Sequence, residues 1–160
     1  MTGRDCYFDA NGCYVCPELA AVTAAPATTT TDPQLGWNAG ANSVTQLAGD
    51  VHVVEAFDVA PVGIVFGLKA ARTLPTEVAL IAHGLYVHSV AGNAFVAVLE
   101  SGRQKGDAVS YVLGTPLEIR RVGATVTYWN DGLLLARSPA RVLGQVIVNA
   151  CFYAAGDTAP

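Results

Sequence analysis

ATVTYWNDGLLLA, residues 124–136, decides the reading of this chain. In Ala124-Thr125-Val126-Thr127-Tyr128-Trp129, small and apolar residues alternate with threonines, the period of a strand with one solvated face. Asn130-Asp131-Gly132 follows, and its Asp-Gly pair tolerates the positive φ of a tight hairpin turn. Leu133-Leu134-Leu135-Ala136 then returns as the partner strand.

Outward from this hairpin the pattern repeats. Short apolar runs stand at Val51–Phe57, Gly63–Leu68, Glu77–Val90, Ala94–Glu100, Val109–Leu113, Leu117–Arg121 and Gln145–Tyr153. Turn signals such as Ala91-Gly92-Asn93, Ser101-Gly102 and Gly114-Thr115-Pro116 separate them. Regular β-rich runs with such punctuation predict an all-β, antiparallel sandwich or barrel. No apolar stretch of helical period exceeds about two turns, and KAARTL (69–74) is the one short helical turn expected. QVIVNACFY (145–153) is apolar on both faces, which predicts a strand with a sheet on one side and a partner or loop on the other, with Cys151 in the core.

Composition narrows the function. Only 14% of residues are charged, against about 25% in a typical soluble domain. A surface this poor in charge is expected to be covered in part by other proteins or by copies of the chain itself. The net charge of −4 argues against a nucleic-acid partner, which needs a basic face to displace counterions. No run approaches the ~18 apolar residues that would span a bilayer, so membrane insertion is not expected. Met1-Thr2-Gly3-Arg4-Asp5-Cys6 does not open a signal peptide, and synthesis in a cytoplasm is expected.

The first 35 residues read as an arm and linker, with residues 36–160 as the sandwich domain. Thr28–Thr31 between Pro26 and Pro33 favour an extended, polyproline-like course. Cys13-Tyr14-Val15-Cys16 has the spacing that lets two thiolates reach one metal, with Cys6 as a third ligand and Cys151 or a neighbouring chain supplying a fourth. A disulfide or free thiols among Cys6, Cys13 and Cys16 explain the same residues, and no other cofactor is expected. Tyr7, Phe8, Tyr14 and Pro17 are the arm residues expected to dock on neighbouring subunits.

Catalysis finds little support. The acidic residues are scattered, with no E-x-D-x-x-E arrangement, and Glu55 and Asp58 at i,i+3 point to opposite faces of a strand. His52, His83 and His88 stand apart from one another, and no G-x-S-x-G signature is present. They read as satisfied strand histidines, and the chain as a non-enzyme. Sugar binding needs an aromatic platform beside amides and carboxylates. Tyr128, Trp129, Asn130 and Asp131 meet that description at the hairpin, and Trp37 with Asn38 makes a second cluster. The same residues have a plainer reading, with Trp37 and Tyr128 in the core and Trp129 at an interface.

Leu117, Ile119, Arg121, Gly123, Val126, Tyr128, Asp131, Gly132, Ser138, Tyr153 and Gly156 together form a pattern that resembles the C-terminal half of concanavalin-A-like (laminin-G-like) jelly-roll domains. Gly36–Ser43 and Val65-Phe66-Gly67-Leu68 resemble their first strands, so the resemblance covers about residues 36–157. Such domains recur in tail-fibre and baseplate proteins of tailed bacteriophages. The resemblance therefore implies a jelly roll with an extended N-terminal arm, acting as a structural virion part of the tail or its tip. Its expected partners are other virion proteins, copies of itself and, in a lectin-like alternative, host surface glycans.

Overall fold

Val126 and Tyr128 point one way from their strand while Thr127 and Trp129 point the other, and that alternation runs through the whole architecture. The computed structural model describes residues 4–8, 14–15, 37, 39–43, 45–73 and 77–153. Its strands are β1 (Arg4–Phe8), β2 (Tyr14–Val15), β3 (Ala39–Asn42), β4 (Val51–Glu55), β5 (Gly63–Ala70), β6 (His83–Val90), β7 (Asn93–Glu100), β8 (Arg103–Ser110), β9 (Leu117–Val122), β10 (Thr125–Asn130), β11 (Leu133–Pro139) and β12 (Val146–Phe152). They form two six-stranded sheets, ordered β11-β10-β9-β4-β1-β2 and β3-β12-β5-β6-β7-β8. Every pairing within them is antiparallel.

The core lies between the sheets. Val51, Val53, Leu117, Ile119, Val126 and Tyr128 come from the first sheet, and Ile64, Phe66, Leu68, Leu85, Val87, Val96, Val98 and Phe152 from the second. Each fully buried aliphatic side chain of this kind contributes about 1.5–3 kcal/mol relative to exposure. The second sheet has a further apolar layer outside it. Val65, Leu99 and Cys151 leave the outer face there, and Ile81 packs down on them from a 3-10 turn at Val78–Leu80. The double-faced apolar run at 145–153 therefore has a layer on each side, and Cys151 is fully buried.

Asp131-Gly132 makes the expected two-residue turn, with φ of 48° and 78°. Ala91-Gly92 and Ser101-Gly102 do the same between β6 and β7 and between β7 and β8, giving hairpins with the hand of the strand twist.

Three local expectations change. The run Glu77–Val90 is one turn of 3-10 helix followed by β6, because Val78 and Ile81 fold over the outer face before the chain re-enters the sheet. The helical turn expected at 69–74 is displaced to that place, since Lys69 and Ala70 complete β5 and pair with β12. The strand placed at Val109–Leu113 instead spans Arg103–Ser110, an exposed edge strand that β7 holds by its backbone. Within the stretch read as an arm, β1 is hydrogen-bonded to β4, with Cys6 opposite His52, and β2 closes that edge.

Candidate functional site

On β9, Leu117, Ile119 and Arg121 face the core, so Glu118 and Arg120 face outward. Strand register then assembles the outer face of the first sheet. His52, Arg120, Thr127 and Arg137 stand in one row across β4, β9, β10 and β11. Val54, Glu118, Trp129 and Leu134 form the next row. A β-bulge at Tyr128/Trp129 offsets the indole from the regular ladder.

These side chains interlock. Arg120 Nε donates to Glu118 Oε2 at 2.9 Å, and the Arg120 NH2 group reaches the same oxygen. His52 Nε2 pairs with that oxygen as well. The Arg120 guanidinium lies 4.8 Å above the centre of the Trp129 ring, a cation–π contact that fixes its plane. Trp129 Nε1 donates to Thr127 Oγ1 at 2.9 Å. Burial lowers the pKa of His52, although the hydrogen bond and charge of Glu118 act in the other direction. The result is a half-buried indole beside a positioned guanidinium, a carboxyl group and a hydroxyl.

Of the residues singled out in the sequence, Trp129 is central to this cluster. Asn130 lies beside it and donates to the Ser110 carbonyl at 3.0 Å, tying the hairpin to β8. Asp131 is exposed at the turn. Tyr128 takes the plainer of its two readings and not the ligand-facing one: it is fully buried between the sheets, because the alternation that turns Trp129 outward turns Tyr128 inward. Trp37 belongs to the opposite sheet, where its ring meets Tyr86 and Tyr153 edge-on at 5.6 and 5.4 Å. Tyr86 and His88 stack there at 4.5 Å, and His88 stacks on Phe95 at 5.9 Å. These rings therefore pack on one another across the outer face of the second sheet. Asn38, Cys13, Cys16 and Pro17 lie outside the described residues, whereas Cys6, Tyr7 and Phe8 are on β1 and Tyr14 on β2.

Glu118, Arg120, His52 and Thr127 were not read as site residues in the sequence, where His52 was expected only as a satisfied strand histidine. Glu118-x-Arg120 and Thr127-x-Trp129 share one face once β9 and β10 pair, and the short Gly123 connection signals that pairing. The neighbouring position of His52 has no local signal, since β4 joins β9 across more than sixty residues.

Between the sheets lies a second polar group. His83 Nδ1 donates to the Tyr128 hydroxyl at 2.7 Å, and that hydroxyl donates to Glu100 Oε1 at 2.8 Å. His83 Nε2 accepts the Arg141 backbone N–H at 2.9 Å, which fixes the tautomer and satisfies the ring. Burial pushes the Glu100 carboxyl up, but hydrogen bonds from Ser138 and Tyr128 and the charge of Lys105 outweigh it and hold it below the usual range. Arg121, 1% exposed, donates to the carbonyls of Gly49, Val142 and Gly144 at 2.9–3.0 Å and so pins two loops.

Two antiparallel sheets packed over one core define the class: an all-β jelly-roll sandwich. No protein-family model matches the chain, and no curated protein does. Solved structures that resemble it include the PSpry domain of TRIM65, 12% identical over 71% of this chain with a TM-score of 0.46. The chain spans 63% of that domain's length. Alginate lyase AlgAT5 from polysaccharide lyase family 7 is 12% identical, with 95% of this chain and 91% of the lyase covered and a TM-score of 0.43. A toad ovary galectin in complex with thio-digalactose is 10% identical, with 76% and 95% covered and a TM-score of 0.37. At such identities the likeness concerns the fold, and a shared fold leaves function to be argued from the site.

Proposed function

We propose that the chain is a non-catalytic, glycan-binding sandwich that recognises a saccharide on the outer face of β9 and β10. The observation that carries this reading is the Arg120–Trp129–Glu118 arrangement. A sugar ring offers one apolar face and a rim of hydroxyls, so it needs an aromatic surface flanked by fixed donors and acceptors. Trp129 supplies the surface, Arg120 the donors, and Glu118 with Thr127 the acceptors. Cross-strand contacts hold all four in advance, which reduces the ordering cost of binding. The test is a glycan array with the full chain and its Trp129→Ala and Glu118→Gln variants. Binding by the parent and loss in both variants, with unchanged circular dichroism, is the expected result. The reading falls if no glycan is retained at millimolar concentration, or if Trp129→Ala binds as the parent does.

A second role, as a structural part of a phage virion at the tail or baseplate, is favoured by a different surface. Val59, Val62, Val90, Val112, Leu113 and Leu133 are 78%, 52%, 56%, 66%, 42% and 65% exposed. Strand pairing puts them at one end of the sandwich, where β4 ends, β5 begins and the β6–β7 and β10–β11 turns lie. Exposed aliphatic groups gathered in one place mark a protein contact. Virion proteins or further copies of the chain are the proposed occupants, with the arm residues Tyr7, Phe8, Tyr14 and Pro17 as a second point of attachment. Replacing Val112 and Leu133 by Asp should keep the tagged chain out of purified particles. Unchanged incorporation removes this end from the contact.

A further inference from the structure

The charges of this chain are not evenly spread. Between Arg103 and Arg141 lie six of its nine Lys and Arg residues but only three of its thirteen Asp and Glu residues. That segment carries a balance of +3 in a chain whose net charge is −4. Three of its cations, Lys105 on β8, Arg137 on β11 and Arg141 just beyond it, come from the edge strands of the two sheets. Lys105 on β8 donates to the Arg137 carbonyl at 3.4 Å and also to Ser138 Oγ, so the two edges touch there.

One buried carboxylate organises this place. Glu100, 8% exposed, holds Lys105 Nζ at 4.0 Å with one oxygen and an Arg141 NH2 at 3.6 Å with the other. It also accepts the Tyr128 hydroxyl, so its capacity is taken up from within. The two cationic side chains stay 45% and 56% exposed. Arg137, also exposed, has no ion pair among the described residues and stands in the row of Thr127 and Arg120, beside Trp129. Lys105 and Arg141 thus flank one satisfied anion, while Arg137 adds an exposed cation on the face proposed to bind sugar.

We propose that Lys105, Arg137 and Arg141 form an anion-binding rim that makes this face selective for acidic polysaccharides, polymers with carboxylate or sulfate groups along the chain. The inference rests on the glycan-binding reading and adds the ligand's charge to it. Trp129 and Glu118 take a sugar ring, while the rim takes the anionic substituent of a neighbouring residue of the polymer. Arg137 and Arg141 supply forked donors that match a planar carboxylate or a sulfate.

Affinity electrophoresis of the full chain separates the possibilities, using pairs of polymers that differ only in charge. Methyl-esterified and de-esterified homogalacturonan test carboxylate, and dextran with dextran sulfate tests sulfate. The rim predicts stronger retardation by the charged member of at least one pair, weakening with added salt. Arg137→Gln with Arg141→Gln should cut that retardation about tenfold, the factor that losing one charge-assisted hydrogen bond of ordinary strength removes. Arg137→Gln alone should lower it in part with no change in thermal unfolding, so a folding defect is separable. Equal retardation by both members of each pair, or by neutral polymers alone, overturns the rim and leaves the glycan reading standing. Equal retardation by single-stranded DNA overturns the rim as an acidic-sugar site. Retardation by no polymer, together with an empty glycan array, overturns both.

Discussion

Tyr128 donates its hydroxyl hydrogen to Glu100 Oε1 at 2.8 Å, joining the middle of β10 in one sheet to the end of β7 in the other. The phenol oxygen in turn accepts from His83 Nδ1, so one phenol links three strands across the core. Burial, the hydrogen bond to Glu100 and its negative charge all push the phenol pKa up, so the proton stays in place. Tyr128→Phe keeps the ring but leaves Glu100 and His83 each short of a partner. The expected cost is about 1–3 kcal/mol in urea unfolding. A loss below about 0.5 kcal/mol, the scatter of surface substitutions, would mean that the bridge does not hold the sheets together.

Acid should weaken the fold in two steps. His52, His83 and His88 all have pKa values below the ordinary 6.5, in each case chiefly because of burial. As pH falls past 6.5 the unfolded chain takes up protons that the folded chain does not, so stability drops with acidification. Glu100 is also held low, and its contribution, present above the ordinary carboxyl value, is lost as pH falls through its folded pKa. Tm measured from pH 8 to pH 4 should therefore begin to decline near 6.5 and fall again in the carboxyl range. His83→Gln should shallow the first step. A flat profile above pH 5 contradicts this account.

Gly67 faces Gly84 across β5 and β6 with no room for a side chain. A Cβ at Gly67 would sit 2.1 Å from the His83 carbonyl oxygen and 2.5 Å from Gly84 Cα, both backbone atoms that cannot rotate aside. Gly67→Ala should therefore cost about 3 kcal/mol or more, at or above the top of the usual range for overpacking, and give insoluble or unfolded protein. A soluble variant with the parent's Tm would show that β5 and β6 can separate locally.

How much of this was legible in the sequence depends on where the determining contacts lie. The 124–136 hairpin could be read because alternation and an Asp-Gly turn are both local. β8, RQKGDAVS, could not, because an exposed edge strand has no apolar period and is placed by backbone bonds to β7. The split of Glu77–Val90 was hidden because Ile81 is as apolar as the strand it precedes, although it packs on the outer face. At the candidate site Trp129 was visible as an aromatic residue at a hairpin. Arg120 and Glu118 became partners only through register, and His52 through a pairing between distant strands. Tyr128 divides from Trp129 for the simplest cause: neighbours in sequence on a strand lie on opposite faces, so the core reading of Tyr128 holds and its grouping with Trp129 as a ligand residue does not.

Cys151 offers a test of how firmly the outer layer is held. Its thiol is fully buried on the outer face of β12, with β3 and β5 paired on either side. Burial pushes its pKa up to about 11, even though the nearby Lys69 ammonium pulls the other way. Only the thiolate reacts with alkylating agents, and at pH 8 a thiol shifted that far is ionised in roughly one molecule in a thousand. Access also requires β3 or the Ile81 layer to lift, which is a local unfolding event. Iodoacetamide applied to the native chain at pH 8 should therefore leave Cys151 unmodified over an hour. In denaturant the same residue should label fully, as read by mass spectrometry on the tryptic peptide that follows Arg141. Fast labelling of the native chain would mean that the layer over this face opens readily, and that the apolar faces of β12 are protected on one side only.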